Sequence, residues 1–289
     1  MKKSLKNYLT LIFLGIVWGS SFILMKKGLV AFDYMQVAAL RLFIAFIALI
    51  PFIKKAIREV KKEHYFPLLI MAFFGNGLPA FLFAKAQTEL DSSVIGILNS
   101  LVPLFTLLLA LFFFKSKSTK TNVLGIIIGL FGAIILIYST INDNLKINNY
   151  IFFVIIATLM YAASINVIKK YLYNLDALSA AALSFLIIGP LSAIYIFNST
   201  FDQIVFKNDV IEALMYIVIL AIVCTALAVV VFNRLITNTN AIFASSVTYL
   251  IPITAIFWGF YDGENIMGIH FVSIIIILSG VYLVNKKSN

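Results

Sequence analysis

Charged residues and cysteine are scarce in this chain. Only 12% of its 289 residues are charged, and just 12 are Asp or Glu. The single cysteine, Cys224, lies in an apolar run and can form no intrachain disulfide. The sequence also has no phosphate-binding P-loop, no His and Glu metal motif and no paired carboxylates of a catalytic kind. These absences argue against an enzyme and a nucleotide-driven machine, and we expect neither a metal nor another cofactor.

Apolar residues dominate the composition instead. They make up 62% of the chain, and its mean hydropathy is +1.05, which excludes a soluble globular protein. A run of about 20 apolar residues forms a helix of roughly 30 Å, enough to cross the hydrocarbon core of a bilayer. Because the runs are long and continuously apolar, they predict an all-α membrane protein and not a membrane barrel. Ten spans are predicted, at residues 8–26, 35–53, 67–86, 92–114, 121–140, 150–169, 178–197, 211–233, 240–260 and 265–284.

Basic residues fall mostly on one side of these ten spans. Sixteen of the 22 Lys and Arg residues lie on one side, five lie on the other, and Arg41 lies within a span. Because Lys and Arg concentrate in cytoplasmic loops, the sequence predicts a multi-pass protein of the cytoplasmic membrane with both termini in the cytoplasm. The net charge of +10 therefore reports topology in a lipid bilayer, and no nucleic-acid partner is expected.

The two halves of the chain resemble each other. The sequence WGSSFILMKKGL at residues 18–29 aligns with YAASINVIKKYL at 161–172, which superimposes the two Lys-Lys pairs at an offset of 143. The same offset pairs Asp33 with Asp176. Such self-similarity over a long offset indicates a duplicated unit.

A second alignment extends the repeat toward the end of each half. NSLVP at residues 99–103 matches TYLIP at 248–252 at an offset of 149. We therefore predict two five-helix repeats, residues 1–144 and 145–289. Since five is an odd number, the second repeat must lie inverted in the membrane. Many secondary transporters are built from such inverted repeats, with the substrate site near the middle of the bilayer.

Short motifs also stand in a specific order along the chain. They are Trp18-Gly19-Ser20-Ser21-Phe22, Leu40-Arg41, Pro103, Thr225, Pro252, Gly263-Glu264 and Ser279-Gly280-Val281. In this order they resemble the EamA-type branch of the drug/metabolite transporter superfamily. The resemblance implies ten helices, an inverted repeat and export of metabolites or amino acids. The family usually has a second Gly-Glu pair after the fourth helix, where this chain reads Phe114-Lys115-Ser116, so no symmetric role of two glutamates is expected.

Polar residues inside the predicted spans are the candidates for a solute site, because a charge at the bilayer centre costs about 3 kcal/mol on insertion scales. Arg41 is the one ionised residue well inside a span; it either meets an anionic group of a substrate or ties helices together. Trp18 and Ser21 share a helix face, and the repeat relates them to Tyr161 and Ser164. These four residues either line a cavity for an amphipathic metabolite or serve ordinary helix packing.

Four further candidates are polar residues within predicted spans, and three of them lie beside Gly or Pro residues that weaken a helix. Asn76 lies in the sequence GNGLP and is related to Thr225 by the offset of 149. Asn99 and Tyr249 precede Pro103 and Pro252, respectively. All four are candidates to line a cavity, and those beside a kink either do so together with freed backbone carbonyls or simply satisfy the backbone there. The complete predicted substrate-binding set is Trp18, Ser21, Arg41, Asn76, Asn99, Tyr161, Ser164, Thr225 and Tyr249.

The remaining candidates are structural in one interpretation and functional in another. Pro103 and Pro252 are either hinges for a rocking motion or static kinks. Trp258 is interpreted as an anchor at the membrane interface. His270 is either a hydrogen-bonded structural residue or a titrating group inside the tenth span.

The sequence as a whole predicts a secondary transporter. It would move a small metabolite, such as an amino acid or a related amphipathic solute, by alternating access, with export as its direction. Proton-driven carriers commonly use an intramembrane carboxylate, and no predicted span carries one well inside it. A passive facilitator or channel and an uncoupled exchanger therefore stay open as alternatives, and the sequence indicates neither a coupling ion nor an oligomeric state.

Overall fold

A computed structural model of the chain describes residues 2–114, 119–139, 149–199 and 208–285. The α-helices are α1 (Lys2–Gly28), α2 (Tyr34–Glu59), α3 (Tyr65–Ile70), α4 (Leu78–Gln87), α5 (Ser92–Asn99), α6 (Val102–Phe114), α7 (Lys120–Ser139), α8 (Tyr150–Tyr171), α9 (Ala177–Asn198), α10 (Asn208–Ala221), α11 (Ala228–Asn238), α12 (Ala241–Ser245), α13 (Ile251–Tyr261) and α14 (Gly268–Asn285). Two π-helical segments, Met71–Gly77 and Ile222–Leu227, connect α3 to α4 and α10 to α11. Short 3-10 segments lie at Lys62–His64 and Ser246–Tyr249. The predicted all-α class is confirmed.

Eight helical spans in the described ranges are long and apolar enough to cross a bilayer. They are Leu5–Gly28, Tyr34–Glu59, Lys62–Gln87, Ser92–Phe114, Tyr150–Tyr171, Ala177–Asn198, Asp209–Asn238 and Ala241–Tyr261. Shorter apolar helices at Val123–Leu136 and Gly268–Gly280 lie where the fifth and tenth spans were predicted. The ten-span arrangement as five plus five stays a prediction, and its boundary between residues 144 and 145 falls outside the described residues.

Helices α2 and α9 begin in similar ways. The Asp33 carboxylate accepts hydrogen bonds from the backbone N–H groups of Met35 and Gln36 at 2.7 and 2.9 Å, and the Gln36 side chain accepts one from the backbone of Asp33. The Asp176 carboxylate accepts from the backbone N–H of Ser179 at the start of α9. These caps satisfy donors that the first turn of a helix leaves free. The sequence match of Asp33 with Asp176 thus corresponds to two helix N-caps.

Small residues let the helices approach closely. Helix α2 packs against α9, α5 against α13, and α7 against α14. A Cβ atom at Gly280 of α14 would overlap the backbone of Gly129 in α7. A Cβ at Gly19 of α1 would overlap Thr254 and lie 2.9 Å from the carbonyl oxygen of Ile251 in α13. Since lipid tails are as apolar as the helices, such close backbone contact is a main source of packing energy in membranes.

Two of the eight spans are interrupted near their middle. One breaks between α5 and α6, and the other passes through the 3-10 segment between α12 and α13. Pro103 and Pro252 are each the second residue of the helix that follows the break. Because proline has no N–H, it cannot bond the carbonyl four residues back, which belongs to Asn99 in one span and Thr248 in the other. At both interruptions, therefore, the backbone carbonyl of a polar residue lacks the hydrogen bond that a regular α-helix would give it.

Candidate functional site

A cavity lies in the middle of the bundle, where both interrupted spans and both π-helical segments meet α1 and α8. It offers about 90 Å³ to the centres of water-sized molecules, several times the roughly 10–15 Å³ that one water needs. It is lined by Trp18, Ser21, Phe22, Met25, Arg41, Met71, Gly75, Asn76, Phe83, Asn99, Val102, Tyr161, Ser164, Ile165, Ile168, Cys224, Thr225, Val229, Phe232, Asn233, Thr248 and Ile251. We call it the central cavity. Its apolar and aromatic walls with a few polar groups are typical of small-molecule sites.

The structure brings eight of the nine predicted site residues to the central cavity. They are Trp18, Ser21, Arg41, Asn76, Asn99, Tyr161, Ser164 and Thr225. The ninth, Tyr249, lies elsewhere, in a second cavity that offers about 800 Å³ on the same measure. Thr248 lines the central cavity in its place. The repeat explains this difference, because the alignment of NSLVP with TYLIP pairs Asn99 with Thr248 and pairs Tyr249 with Ser100.

Each π-helical segment carries one polar side chain at a corresponding point. Asn76 Nδ2 donates to the carbonyl oxygen of Met71 at 3.2 Å. Thr225 Oγ1 donates to the carbonyl oxygen of Leu220 at 2.8 Å. Both bonds reach back five residues, and an offset of 149 relates both members of one bond to those of the other. Since π-helical turns are rare and concentrate at functional sites, this shared geometry marks the two segments as candidate parts of a site.

Two hydrogen bonds join these π-helical segments to α2 and α9. Arg41 Nε donates to Thr225 Oγ1 at 2.7 Å. Asn76 Nδ2 donates to Ser184 Oγ at 3.2 Å. The repeat relates Arg41 to Ser184 and Thr225 to Asn76, so the two contacts correspond to each other. Sequence reasoning missed Ser184, although the offset of 143 already aligns it with Arg41.

Aromatic side chains line the central cavity in two pairs. Trp18 Nε1 donates to the carbonyl oxygen of Cys224 at 3.0 Å, and the indole meets the Phe232 ring edge to face at 4.8 Å. The Tyr161 and Phe83 rings, which also line the cavity, stack at 5.6 Å between centroids. Neither Phe83 nor Phe232 was predicted, because the chain has 27 Phe residues and nothing in the sequence separates these two from the others.

Three polar atoms in the lining have no hydrogen-bond partner among the described residues. They belong to Asn99 (Oδ1), Ser164 (Oγ) and Asn233 (Nδ2), whose exposed fractions are 5%, 2% and 2%. Leaving such a buried atom unpaired costs about 1–3 kcal/mol. A solute that offers complementary groups would remove this cost. Asn233 was missed in the sequence because it was placed at the last position of the predicted eighth span.

A cluster of charged groups joins three elements at the end of α1. We call it the Glu264 cluster; its members are Lys26, Lys27, Ser92, Ser93, Asp262 and Glu264. The Glu264 carboxylate accepts from the backbone N–H groups of Ser92 and Ser93 at 2.9 and 3.0 Å and from Lys26 Nζ at 3.0 Å. Lys26 and Lys27 both pair with Asp262. The cluster therefore holds together the end of α1, the start of α5 and the turn between α13 and α14, where Gly263 supplies a φ of 77°.

The carboxylate of Glu264 is held in its charged form. Its side chain is only 1% exposed, and burial alone would raise its pKa. Hydrogen bonds from Ser93, Lys26 and Ser92 outweigh burial, so that the pKa of Glu264 is lowered below its usual value. The neighbouring Asp91 has a raised pKa, because of its burial and the Glu264 charge. The Gly263-Glu264 motif therefore stabilises one end of the bundle and does not line the central cavity.

The opposite end of the bundle is tied in another way. Lys169, the repeat partner of Lys26, donates to the backbone carbonyl oxygens of Thr237 and Thr239. Both Lys169 and Tyr249 line the second cavity. Their chain neighbours Ile168 and Thr248 line the central cavity, so the two cavities lie next to each other.

Two other residues singled out in the sequence make local contacts away from the central cavity. His270 Nδ1 accepts from the backbone N–H of Met267 at 3.2 Å, at the start of α14. Trp258 Nε1 donates to Ser20 Oγ at 2.8 Å. Both contacts suit structural roles. In the described ranges, no group of three or more His, Cys, Asp or Glu residues is arranged to hold a metal ion.

The chain is similar over almost its whole length to several bacterial proteins. It is 24% identical over 287 residues to the uncharacterized transporter YoaV of Bacillus subtilis (strain 168), with 96% of each chain covered. It is 25% identical to the uncharacterized inner membrane transporter YedA of Escherichia coli (strain K12), with 93% of this chain and 87% of that protein covered. A solved crystal structure matches the fold with a TM-score of 0.65 at 15% identity, over 95% of both chains.

A family model matches most of the chain in two stretches. The model describes the EamA-like transporter family, and the matched residues are 5–138 and 148–286. This result confirms the resemblance drawn from the ordered motifs, and the relatives are named as transporters. The chain therefore belongs to the EamA-like transporter family, and its function is the transport of small solutes across a membrane.

Proposed function

We propose that the protein is a secondary transporter that exports a small metabolite across the cytoplasmic membrane by alternating access. The observation that carries this proposal is the central cavity, at which two π-helical segments and two interrupted spans converge in corresponding pairs. Secondary transporters with inverted repeats bind their substrates at discontinuous helices near the middle of the bilayer. The proposal therefore includes two five-helix repeats, residues 1–144 and 145–289, with the second inverted.

The two ends of the bundle differ in a way that supports access from one side. Ion pairs and backbone hydrogen bonds of the Glu264 cluster close one end. The wide second cavity lies at the other end, beside Lys169 and Lys170. The excess of Lys and Arg on the side of Lys169 supports a cytoplasmic location for that end and for both termini. In this conformation the central cavity would receive its substrate from the cytoplasm.

The proposed substrate-binding residues are the predicted ones that line the central cavity, and Tyr249 is left out of this set. Pro103 and Pro252 are the proposed hinges. Each is the second residue of the helix that follows an interruption, where the missing hydrogen bond lowers the resistance to bending. Rotation at these two points would move α6 and α13 relative to α5 and α12.

Counterflow in reconstituted vesicles tests this proposal. Thermal-shift screening of the purified protein against metabolites first identifies a solute that stabilises it. We expect that vesicles loaded with this unlabelled solute take up a labelled trace of it transiently above equilibrium, with a rate that saturates. A rate that rises linearly with concentration and shows no counterflow would contradict a carrier and support a passive channel.

A further inference from the structure

We infer that the central cavity selects a small organic monoanion with a flat apolar body, in preference to a zwitterion or a neutral solute. This inference rests on the proposed function, because it names the class of solute that the transporter carries. It departs from the expectation of an amino acid.

The first observation is the state of Arg41. Its Nε atom donates a hydrogen bond to Thr225 Oγ1 at 2.7 Å. This bond holds the guanidinium against the π-helical segment between α10 and α11. No other hydrogen bond and no ion pair of Arg41 is formed with the described residues. The two Nη nitrogens are therefore the donors left for a ligand, and a guanidinium edge matches the two oxygens of a carboxylate.

The second observation is the absence of a matching acid in the lining. Of the 12 Asp and Glu residues, Asp143 and Asp202 lie outside the described residues, and none of the other ten lines the central cavity. The described lining thus carries the charge of Arg41 alone. An anionic solute neutralises that charge, whereas the ammonium group of a zwitterion would meet only uncharged acceptors such as Asn99 Oδ1, which do not neutralise a charge in a site of low dielectric constant.

The third observation is the arrangement of the walls. The lining contains two aromatic pairs, Trp18 with Phe232 and Phe83 with Tyr161. The Trp18 N–H is already occupied by the carbonyl of Cys224, so the indole offers an apolar surface. Flat apolar groups gain most from contact with such rings. The charged group of the solute would then lie toward α2, which carries Arg41.

Three probes that differ in one group each provide the test. They are phenylacetate, its neutral analogue phenylacetamide, and the zwitterion phenylglycine. Phenylglycine keeps the carboxylate of phenylacetate and adds an ammonium group on the neighbouring carbon. The chain has two Trp residues, so the variant Trp258→Phe leaves Trp18, in the lining of the central cavity, as the sole tryptophan, whose fluorescence can be excited selectively over that of tyrosine. We expect phenylacetate to change Trp18 fluorescence with a Kd at least tenfold lower than that of either other probe, and Arg41→Gln to erase the difference between phenylacetate and phenylacetamide.

The control is Arg234→Gln, which removes an exposed arginine directly beside the lining residue Asn233; it should leave the tenfold preference unchanged. Equal or tighter binding of phenylacetamide or phenylglycine would overturn the inference, and so would a preference that survives Arg41→Gln, or no response to any of the three probes. None of these three results would decide whether the protein is a transporter, since counterflow of the solute found by screening measures transport independently.

Discussion

The variants Trp18→Ala and Tyr161→Ala should each lower the initial rate of counterflow at least tenfold, while the amount of folded protein stays the same. Each substitution removes one member of an aromatic pair in the lining of the central cavity. The Trp18 change also frees the carbonyl of Cys224, which the indole N–H occupies at 3.0 Å. Because both side chains are partly exposed toward the cavity, their loss should affect solute binding more than helix packing. The measurement is counterflow of the solute identified by screening.

Matched residues of the same type provide the controls for this prediction. Trp258 is 37% exposed and Tyr173 is 61% exposed, and neither lines the central cavity. Trp258→Ala and Tyr173→Ala should keep the rate within about a factor of two, because neither side chain reaches a solute in the central cavity, even though Trp258→Ala also removes the hydrogen bond to Ser20. Native rates in both Trp18→Ala and Tyr161→Ala would exclude the central cavity as the binding site.

Replacing Glu264 by Ala should lower the free energy of unfolding by about 1.5–3 kcal/mol, the range for loss of a hydrogen bond to a charged group with its buried partners left unpaired. The carboxylate is the common acceptor for Ser92, Ser93 and Lys26. Its removal leaves the first N–H groups of α5 without their partner, which is the position where a negative charge stabilises a helix most. Thermal unfolding of the purified protein measures the change.

The control and the pH dependence of this effect follow from the same contacts. Glu212 is exposed, and among the described residues its carboxylate accepts a hydrogen bond only from the hydroxyl of Tyr216, four residues on. Glu212→Ala should therefore shift the melting temperature little. Because the pKa of Glu264 is lowered in the folded protein, its contribution is fully present above the ordinary value of 4.5 and is lost as the pH falls through the lowered value. The native protein and Glu264→Ala should therefore converge in stability at acid pH. Equal stabilities at neutral pH would contradict the role given to the cluster.

The helical class and the position of the central cavity could be predicted from the sequence. Long apolar runs leave few alternatives to spanning helices, because the backbone must satisfy its own hydrogen bonds in lipid. Polar residues within such runs are costly, so Arg41, Asn76 and Thr225 were visible as exceptions. The repeat then located Tyr161 and Ser164 from Trp18 and Ser21.

Other parts of the site could not be predicted because they depend on local register. The π-helical turns at Asn76 and Thr225 arise from tertiary contacts, and composition does not distinguish them from ordinary helix. Tyr249 was predicted, whereas its neighbour Thr248 lines the central cavity. Neighbouring side chains on a 3-10 turn point about a third of a turn apart, so an error of one residue in register exchanges one cavity for the other. The partners of Glu264 lie more than 170 residues away in the chain, and no local sequence pattern predicts these contacts.

Labelling from both sides of the membrane tests alternating access most directly. Ser164→Cys in a Cys224→Ser background places a single thiol in the central cavity, and a membrane-impermeant thiol reagent is applied to vesicles of each orientation. With Glu264 in place, we predict faster labelling from the cytoplasmic side. When Glu264→Ala is added, labelling should rise from the side of the Glu264 cluster and fall from the cytoplasmic side. The two changes are reciprocal because the protein is shifted between two mutually exclusive conformations. An increase from both sides together would show a continuous pore and would contradict the account.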